Sequence, residues 1–112
     1  MSVSLGIFKG KQFDSFASQF ITAIPISFQT VWNSEWSKAI SECNIRIFVN
    51  NNDFPINDIP AVLAELDTIY HWSHDNNGKD TPYIQNRIKE LKEYLSQFYQ
   101  AHKDEDYWFS LG

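Results

Sequence analysis

The segment TPYIQNRIKELKEYLSQFYQAHK, residues 81–103, decides the fold because it is the longest and clearest helical pattern in the chain. Its apolar residues recur at steps of four and three and so share one helix face: Ile84, Ile88, Leu91, Leu95 and Phe98. Thr81 followed by Pro82 is a helix start signal, a side-chain acceptor before a preset backbone angle. We expect the other elements to cover this apolar face. The outer side mixes charges such as Arg87 and Glu93, which predicts a solvated surface.

The remainder of the C-terminal half reads as a helical hairpin and a strand. A second apolar stripe predicts a helix over residues 58–72, opened by Asp58 and Pro60. The polar stretch 74–80 then connects it to the long helix, so the two helices should pack antiparallel. The tail YWFSL, residues 107–111, is apolar and β-prone and predicts a closing strand.

The N-terminal half is predicted to begin with a strand over residues 2–8, where Val3, Leu5 and Ile7 alternate with small residues. Helical spacing then predicts a helix over 12–24, which Pro25 ends. Residues 26–31 are interpreted as irregular or weakly extended.

The middle of the chain is predicted to hold a helix over residues 33–43, capped by Asn33 or Ser34. The run IRIFV, residues 45–49, is short, apolar and β-prone, and it predicts a central strand. The polar residues 50–53 should end that strand in a turn.

These elements predict an α/β fold in one domain spanning residues 1–112. The expected architecture is a small sheet of about three short strands, packed against an antiparallel helical hairpin and two further helices. A chain of 112 residues is long enough for one proper core.

Cysteine content and hydropathy bear on the compartment. Cys43 is the single cysteine, which rules out an internal disulfide and favours a reducing compartment. No signal-peptide pattern and no stretch of ~20 apolar residues is present, so a cytoplasmic location is expected.

Negative charge is concentrated in residues 51–80, which carry six carboxylates against Lys79 alone, in a chain of net charge −5. An acidic surface repels nucleic acid and membranes and attracts basic partners. We therefore expect no nucleic-acid or membrane partner. Simple solubility is the alternative explanation of this charge.

Catalytic motifs are absent from the sequence, so we expect no enzyme activity, no catalytic residues and no cofactor. Cys43 lies on an apolar stripe and is interpreted as a small buried hydrophobe. The pair His71 and His74, with Asp75 and His102, has metal-ligand residue types. A polar helix end explains the histidines better, and we predict no metal site.

Aromatic residues make up 16% of the chain, more than the predicted stripes require. Tyrosine and tryptophan are common at interface hot spots, so together with the carboxylates they indicate a surface for a basic protein partner. Half-buried core edges are the alternative. The predicted partner-binding residues are Trp32, Glu35, Trp36, Glu42, Asp53, Asp58, Glu65, Asp67, Trp72 and Asp75.

The predicted order of elements resembles that of the barstar family, small acidic inhibitors of a bacterial ribonuclease. The matching stretches are 3–8 with the 12–24 helix, the 33–43 helix bearing Trp36 before residues 45–49, and the hairpin before 107–111. Size, acidity and aromatic content also resemble the immunity proteins of contact-dependent growth inhibition.

The resemblance implies an immunity protein that neutralises a cognate bacterial toxin by covering its active site with acidic and aromatic residues. A basic nuclease domain is the expected partner. A non-catalytic adaptor or a self-associating structural protein is the alternative, and a small enzyme using His71 and His74 is a third. The sequence does not determine the oligomeric state.

Overall fold

The protein is an α/β fold built on a four-stranded antiparallel sheet with three helices. A computed structural model describes residues 2–11, 18–49, 53–75 and 81–112. The spatial order of the strands is β2-β1-β4-β3. Their bounds are β1 Ser2–Lys9, β2 Gln19–Phe28, β3 Asp53–Pro55 and β4 Tyr107–Leu111.

The first helix is composite. It consists of α1 (Gln29–Val31), a π-helical turn (Trp32–Trp36) and α2 (Ser37–Glu42), and we call it the composite helix. A 3-10 turn (Ile56–Asp58) leads into α3 (Ile59–Asp75), and α4 (Thr81–His102) follows.

The core lies between one face of the sheet and the helices. Strands β1 and β4 alternate strictly, with Val3, Leu5 and Ile7 buried on the same side as Phe109 and Leu111. The apolar stripe of α4 is buried against them in one cluster, as period 3.6 requires. The residues of β1 and β4 that alternate with these buried strand residues face the other side of the sheet and are half-buried.

The elements with the strongest patterns are confirmed. Helix α4 begins at Thr81 and ends one residue before the predicted boundary, and β4 covers the predicted tail strand. Strand β1 is confirmed over Ser2–Lys9. Helix α3 packs against α4 as expected. It continues to Asp75, so His74 and Asp75 are helical, and residues 76–80 of the predicted loop lie outside the described residues.

The predicted helix over 12–24 is wrong from Gln19 onward, where the chain forms β2; residues 12–17 lie outside the described residues. Ile21, Thr22 and Ile24 are β-branched, and their spacing is compatible with either element. Pairing with β1 decides between them, because β2 supplies hydrogen-bond partners for the edge of β1 that β4 leaves open.

The predicted helix over 33–43 begins earlier than expected, since helical structure starts at Gln29 directly after β2. The backbone is already helical at Asn33 and Ser34, so neither residue caps its start. Residues 26–31, predicted to be irregular, divide between the end of β2 and α1.

The predicted central strand over 45–49 is wrong. The Glu65 carboxylate accepts the backbone N–H groups of three consecutive residues, Arg46 at 2.8 Å, Ile47 at 3.1 Å and Phe48 at 2.8 Å. A strand would point successive N–H groups to opposite sides, whereas here all three converge on one side chain. The apolar side chains still enter the core, with Ile45 and Phe48 buried.

The short strand β3 starts at Asp53, where a turn was predicted; residues 50–52 lie outside the described residues. It pairs with β4, with Phe54 opposite Phe109. Among the described residues, the order on which the barstar resemblance rested differs from the observed order at one place, because β2 forms where the first helix was predicted from Gln19 onward. Strand β3 takes the place of the central strand in the order, although it lies later in the chain than residues 45–49.

Candidate protein-binding site

Trp32 and Trp36 form the centre of the candidate site. The π-helical turn has a backbone hydrogen bond from Ser37 N–H to the Trp32 carbonyl, and the Ser37 hydroxyl donates to the same carbonyl at 3.0 Å. The two indole rings stack with centroids 5.4 Å apart and an angle of 18°. Trp36 is fully buried and Trp32 is half-buried, so the outer ring rests on a fixed inner one. Short π-helical turns are frequently found at functional sites.

The loop 45–49 supports the Trp32 ring from a second side. Phe48 is fully buried and meets Trp32 edge-on, with centroids 6.4 Å apart and an angle of 84°. The backbone of this loop is held by Glu65, as described above. The Glu65 carboxylate on α3 therefore holds the loop whose Phe48 side chain packs against the Trp32 ring.

A cleft of about 410 Å³ opens beside Trp32. Its walls come from the composite helix, the loop 45–49, β1, the end of β4 and the residue after it: Val3, Gln29, Trp32, Ser37, Ile40, Val49, Leu111 and Gly112. The lining includes two polar side chains, Gln29 and Ser37, and its exposed surface is about equally polar and apolar. Such a surface suits an apolar or aromatic side chain of a partner with a few directed hydrogen bonds.

Two carboxylates lie on the same composite helix. Glu35 has no hydrogen-bond or ion-pair partner among the described residues and is half-buried. Glu42 lies 4.0 Å from Lys38 in an exposed pair, which is worth little in water. Both carboxylates are thus open to a cationic partner.

The structure removes two predicted residues from the candidate surface. Trp36 is 0% exposed and belongs to the core, although it lies in the same π-helical turn as the half-buried Trp32. Glu65 is committed to three backbone N–H groups, so its carboxylate stabilises the fold. Burial and the Glu65 contacts depend on tertiary packing, which explains why residue type alone misassigned them.

The remaining predicted residues lie on other elements. Asp67 on α3 pairs with Lys92 at 2.8 Å and His71 at 3.4 Å, and the hydrogen bond from Lys92 lowers the pKa of its carboxyl group. Trp72 is half-buried with its indole nitrogen inside. Asp75 is exposed at the end of α3. Asp53 and Asp58 are half-buried in β3 and the 3-10 turn. The ten residues are therefore distributed over several elements, and of the ten Trp32 alone is among the described residues that line the cleft.

Histidine and cysteine side chains are engaged locally. No group of three or more His, Cys, Asp or Glu side chains placed to hold a metal ion occurs within residues 2–11, 18–49, 53–75 and 81–112. His102 Nδ1 lies 2.6 Å from Glu105, and the His74 ring packs edge-on against Tyr70. Burial raises the pKa of the Cys43 thiol, and the adjacent Glu42 carboxylate adds to this. The thiol is therefore protonated and a weak nucleophile at neutral pH.

Sequence reasoning also missed an anchoring role for Arg87. Its side chain is only 21% exposed, which contradicts the expectation of a fully solvated outer face. The guanidinium donates to the carbonyls of Pro25 and Ile26, and the Tyr83 hydroxyl accepts the Phe28 N–H at 3.2 Å. Side chains of α4 thus bind backbone groups at the end of β2 and hold it in place. A charge on a mixed helix face gives no signal of such backbone contacts.

Comparison with known proteins gives no match to a family model, a curated protein or a solved structure. Within the part of the chain that is described, none of the helices is both long and apolar enough to cross a membrane.

Proposed function

We propose that this protein is an immunity protein, which neutralises a cognate bacterial toxin by covering the active site of a basic toxin domain. The observation that carries the proposal is the supported Trp32 ring at the edge of a 410 Å³ cleft. A tryptophan held in place before binding loses little entropy on association, which is the property of an interface hot spot.

The carboxylates of the composite helix supply the electrostatic part of the proposal. Glu35 is three residues from Trp32 and has no partner among the residues described. Carboxylates can take the place of substrate phosphates in a nuclease site, where lysine and arginine side chains converge. Complementary charge also accelerates association at low salt.

The proposal predicts that a neighbouring reading frame encodes a secreted protein with a basic C-terminal domain, and this domain is the test partner. Its toxic activity is measured with the wild type, Trp32→Ala and the matched control Tyr94→Ala. Tyr94 is also an exposed aromatic side chain, but it lies on α4. Inhibition by the wild type and Tyr94→Ala, with loss for Trp32→Ala, supports the proposal. Equal behaviour of both variants, or no inhibition by the wild type, contradicts it.

Salt dependence tests the role of charge separately. The association rate of the wild type should fall steeply as ionic strength rises. Glu35→Gln should associate more slowly at low salt and show a shallower salt dependence. An association rate that does not change with ionic strength contradicts the electrostatic part of the proposal. The role of Trp32 is tested separately by Trp32→Ala.

A further inference from the structure

Strand β2 is one edge of the described sheet. Its two halves, residues 19–24 and 25–28, differ in how far other groups cover their outward backbone groups. In the second half Pro25 lacks an N–H group, Arg87 occupies the carbonyls of Pro25 and Ile26, and Tyr83 accepts the N–H of Phe28. Edge strands protected in this way cannot accept another strand. No described side chain covers the first half, residues 19–24, although the register with β1 shifts there, since Thr22 and Phe20 lie opposite consecutive residues of β1 and Ile21 has no partner on that strand.

The backbone groups of this first half can be assigned a direction. Ser4 and Gly112 exchange two hydrogen bonds, at 2.8 and 2.9 Å, so Ser4 directs its backbone groups toward β4. Antiparallel ladders alternate, so Leu5 and Ile7 direct theirs toward β2, opposite Ile24 and Thr22. Ala23, between those two residues, therefore points its N–H and C=O away from the sheet.

Side chains and charge suit a strand-to-strand contact at the same place. Phe20 is 57% exposed and Ile21 is 46% exposed, so two adjacent large apolar side chains are accessible on this half; Phe28, on the covered half, is 61% exposed as well. The sequence has no ionisable residue between Asp14 and Glu35, so this edge carries none of the charges that normally discourage pairing. The opposite edge of the sheet begins with Asp53 on β3.

We propose that residues 19–24 of β2 pair with the same strand of a second copy, giving an antiparallel homodimer with one continuous sheet. A two-fold axis reverses chain direction, so the strand meets itself in the antiparallel sense. Neutral edges meet in this arrangement, while the acidic β3 edges of a protein of net charge −5 stay at the far ends of the combined sheet. A strand of a basic toxin would find no carboxylate on β2. This inference does not depend on the proposed immunity function.

The test is sedimentation equilibrium over a concentration series with the wild type, Ile21→Lys and the matched control Tyr94→Lys. Both substitutions place a lysine at an exposed apolar position, but only Ile21 lies on the open half of β2. Ile21→Lys should raise the dimer dissociation constant at least tenfold, and Tyr94→Lys should leave it within threefold. Far-UV circular dichroism and thermal melts establish that both variants are folded.

Amide exchange provides a readout at one atom. The Ala23 N–H should exchange more slowly as the wild-type concentration rises, while that of Ile21→Lys should stay fast. A wild type that is monomeric at every concentration overturns the proposal. So does an Ile21→Lys variant that is folded and dimerises as well as Tyr94→Lys.

Discussion

Replacing Glu65 with Gln should destabilise the protein strongly, although the substitution changes only one carboxylate oxygen into an NH₂ group. The carboxylate accepts three backbone N–H groups, at 2.8, 3.1 and 2.8 Å, and two of these donors are partly buried. Hydrogen bonds to a charged group contribute about 1.5–3 kcal/mol each, and they are not additive. Gln keeps one acceptor oxygen and turns an N–H₂ toward the other donors. We therefore expect a loss of about 2–4 kcal/mol in the free energy of unfolding.

Urea unfolding followed by circular dichroism measures this loss, with Glu93→Gln as the matched control. Glu93 is an exposed glutamate of α4 whose side chain contacts Gln97 at 3.5 Å and has no other hydrogen-bond partner in the described part of the chain. Its replacement should change stability by less than about 0.5 kcal/mol. Because Glu65 holds the loop that contacts Trp32, its replacement should also alter the tryptophan fluorescence, to which Trp32 contributes, at urea concentrations below the unfolding transition. A Glu65→Gln variant within about 0.5 kcal/mol of wild type would refute the reasoning.

Three further outcomes follow from the described contacts. Leu91 is 2% exposed, so Leu91→Ala should lower the free energy of unfolding by about 2–5 kcal/mol, against a near-neutral Lys89→Ala in the same urea assay. Arg87→Ala should cost about 1–3 kcal/mol and speed amide exchange at the end of β2; unchanged exchange there would count against the anchoring role. The lowered pKa of Asp67 means that its ionised form contributes stability at neutral pH, and this contribution disappears as the pH falls through the lowered value. Asp67→Asn should therefore lose less stability than wild type as the pH falls below the ordinary aspartate pKa of 3.8, and an identical acid profile would contradict the pair with Lys92.

Periodicity over long segments predicted much of the fold. The α4 stripe, the α3 stripe and the alternation in β1 each repeat often enough to define one face, and these faces form the core. The same reasoning failed at residues 19–24 and 45–49, where short apolar runs fit both helix and strand. There the outcome depends on partners distant in the chain, the edge of β1 and the carboxylate of Glu65.

The candidate site was predicted in part, because Trp32 and Glu35 were selected by residue type. The sequence could not separate Trp32 from Trp36, since both fit one helical face by spacing and only the tertiary packing places Trp36 in the core. The sequence also could not distinguish a carboxylate that binds backbone N–H groups from one that has no partner among the described residues. Glu65 and Glu35 have the same chemistry and differ only in what the fold places beside them.

The most direct test of the central claim is the affinity of Trp32→Ala for the basic toxin domain that the proposal expects a neighbouring reading frame to encode. Calorimetry at physiological salt would compare it with wild type and Tyr94→Ala. Removal of a hot-spot tryptophan costs about 2 kcal/mol or more, so Trp32→Ala should bind at least ~30-fold more weakly, with Tyr94→Ala unchanged. A wild type that does not bind this domain, or a Trp32→Ala variant that binds as tightly as wild type, would contradict the account.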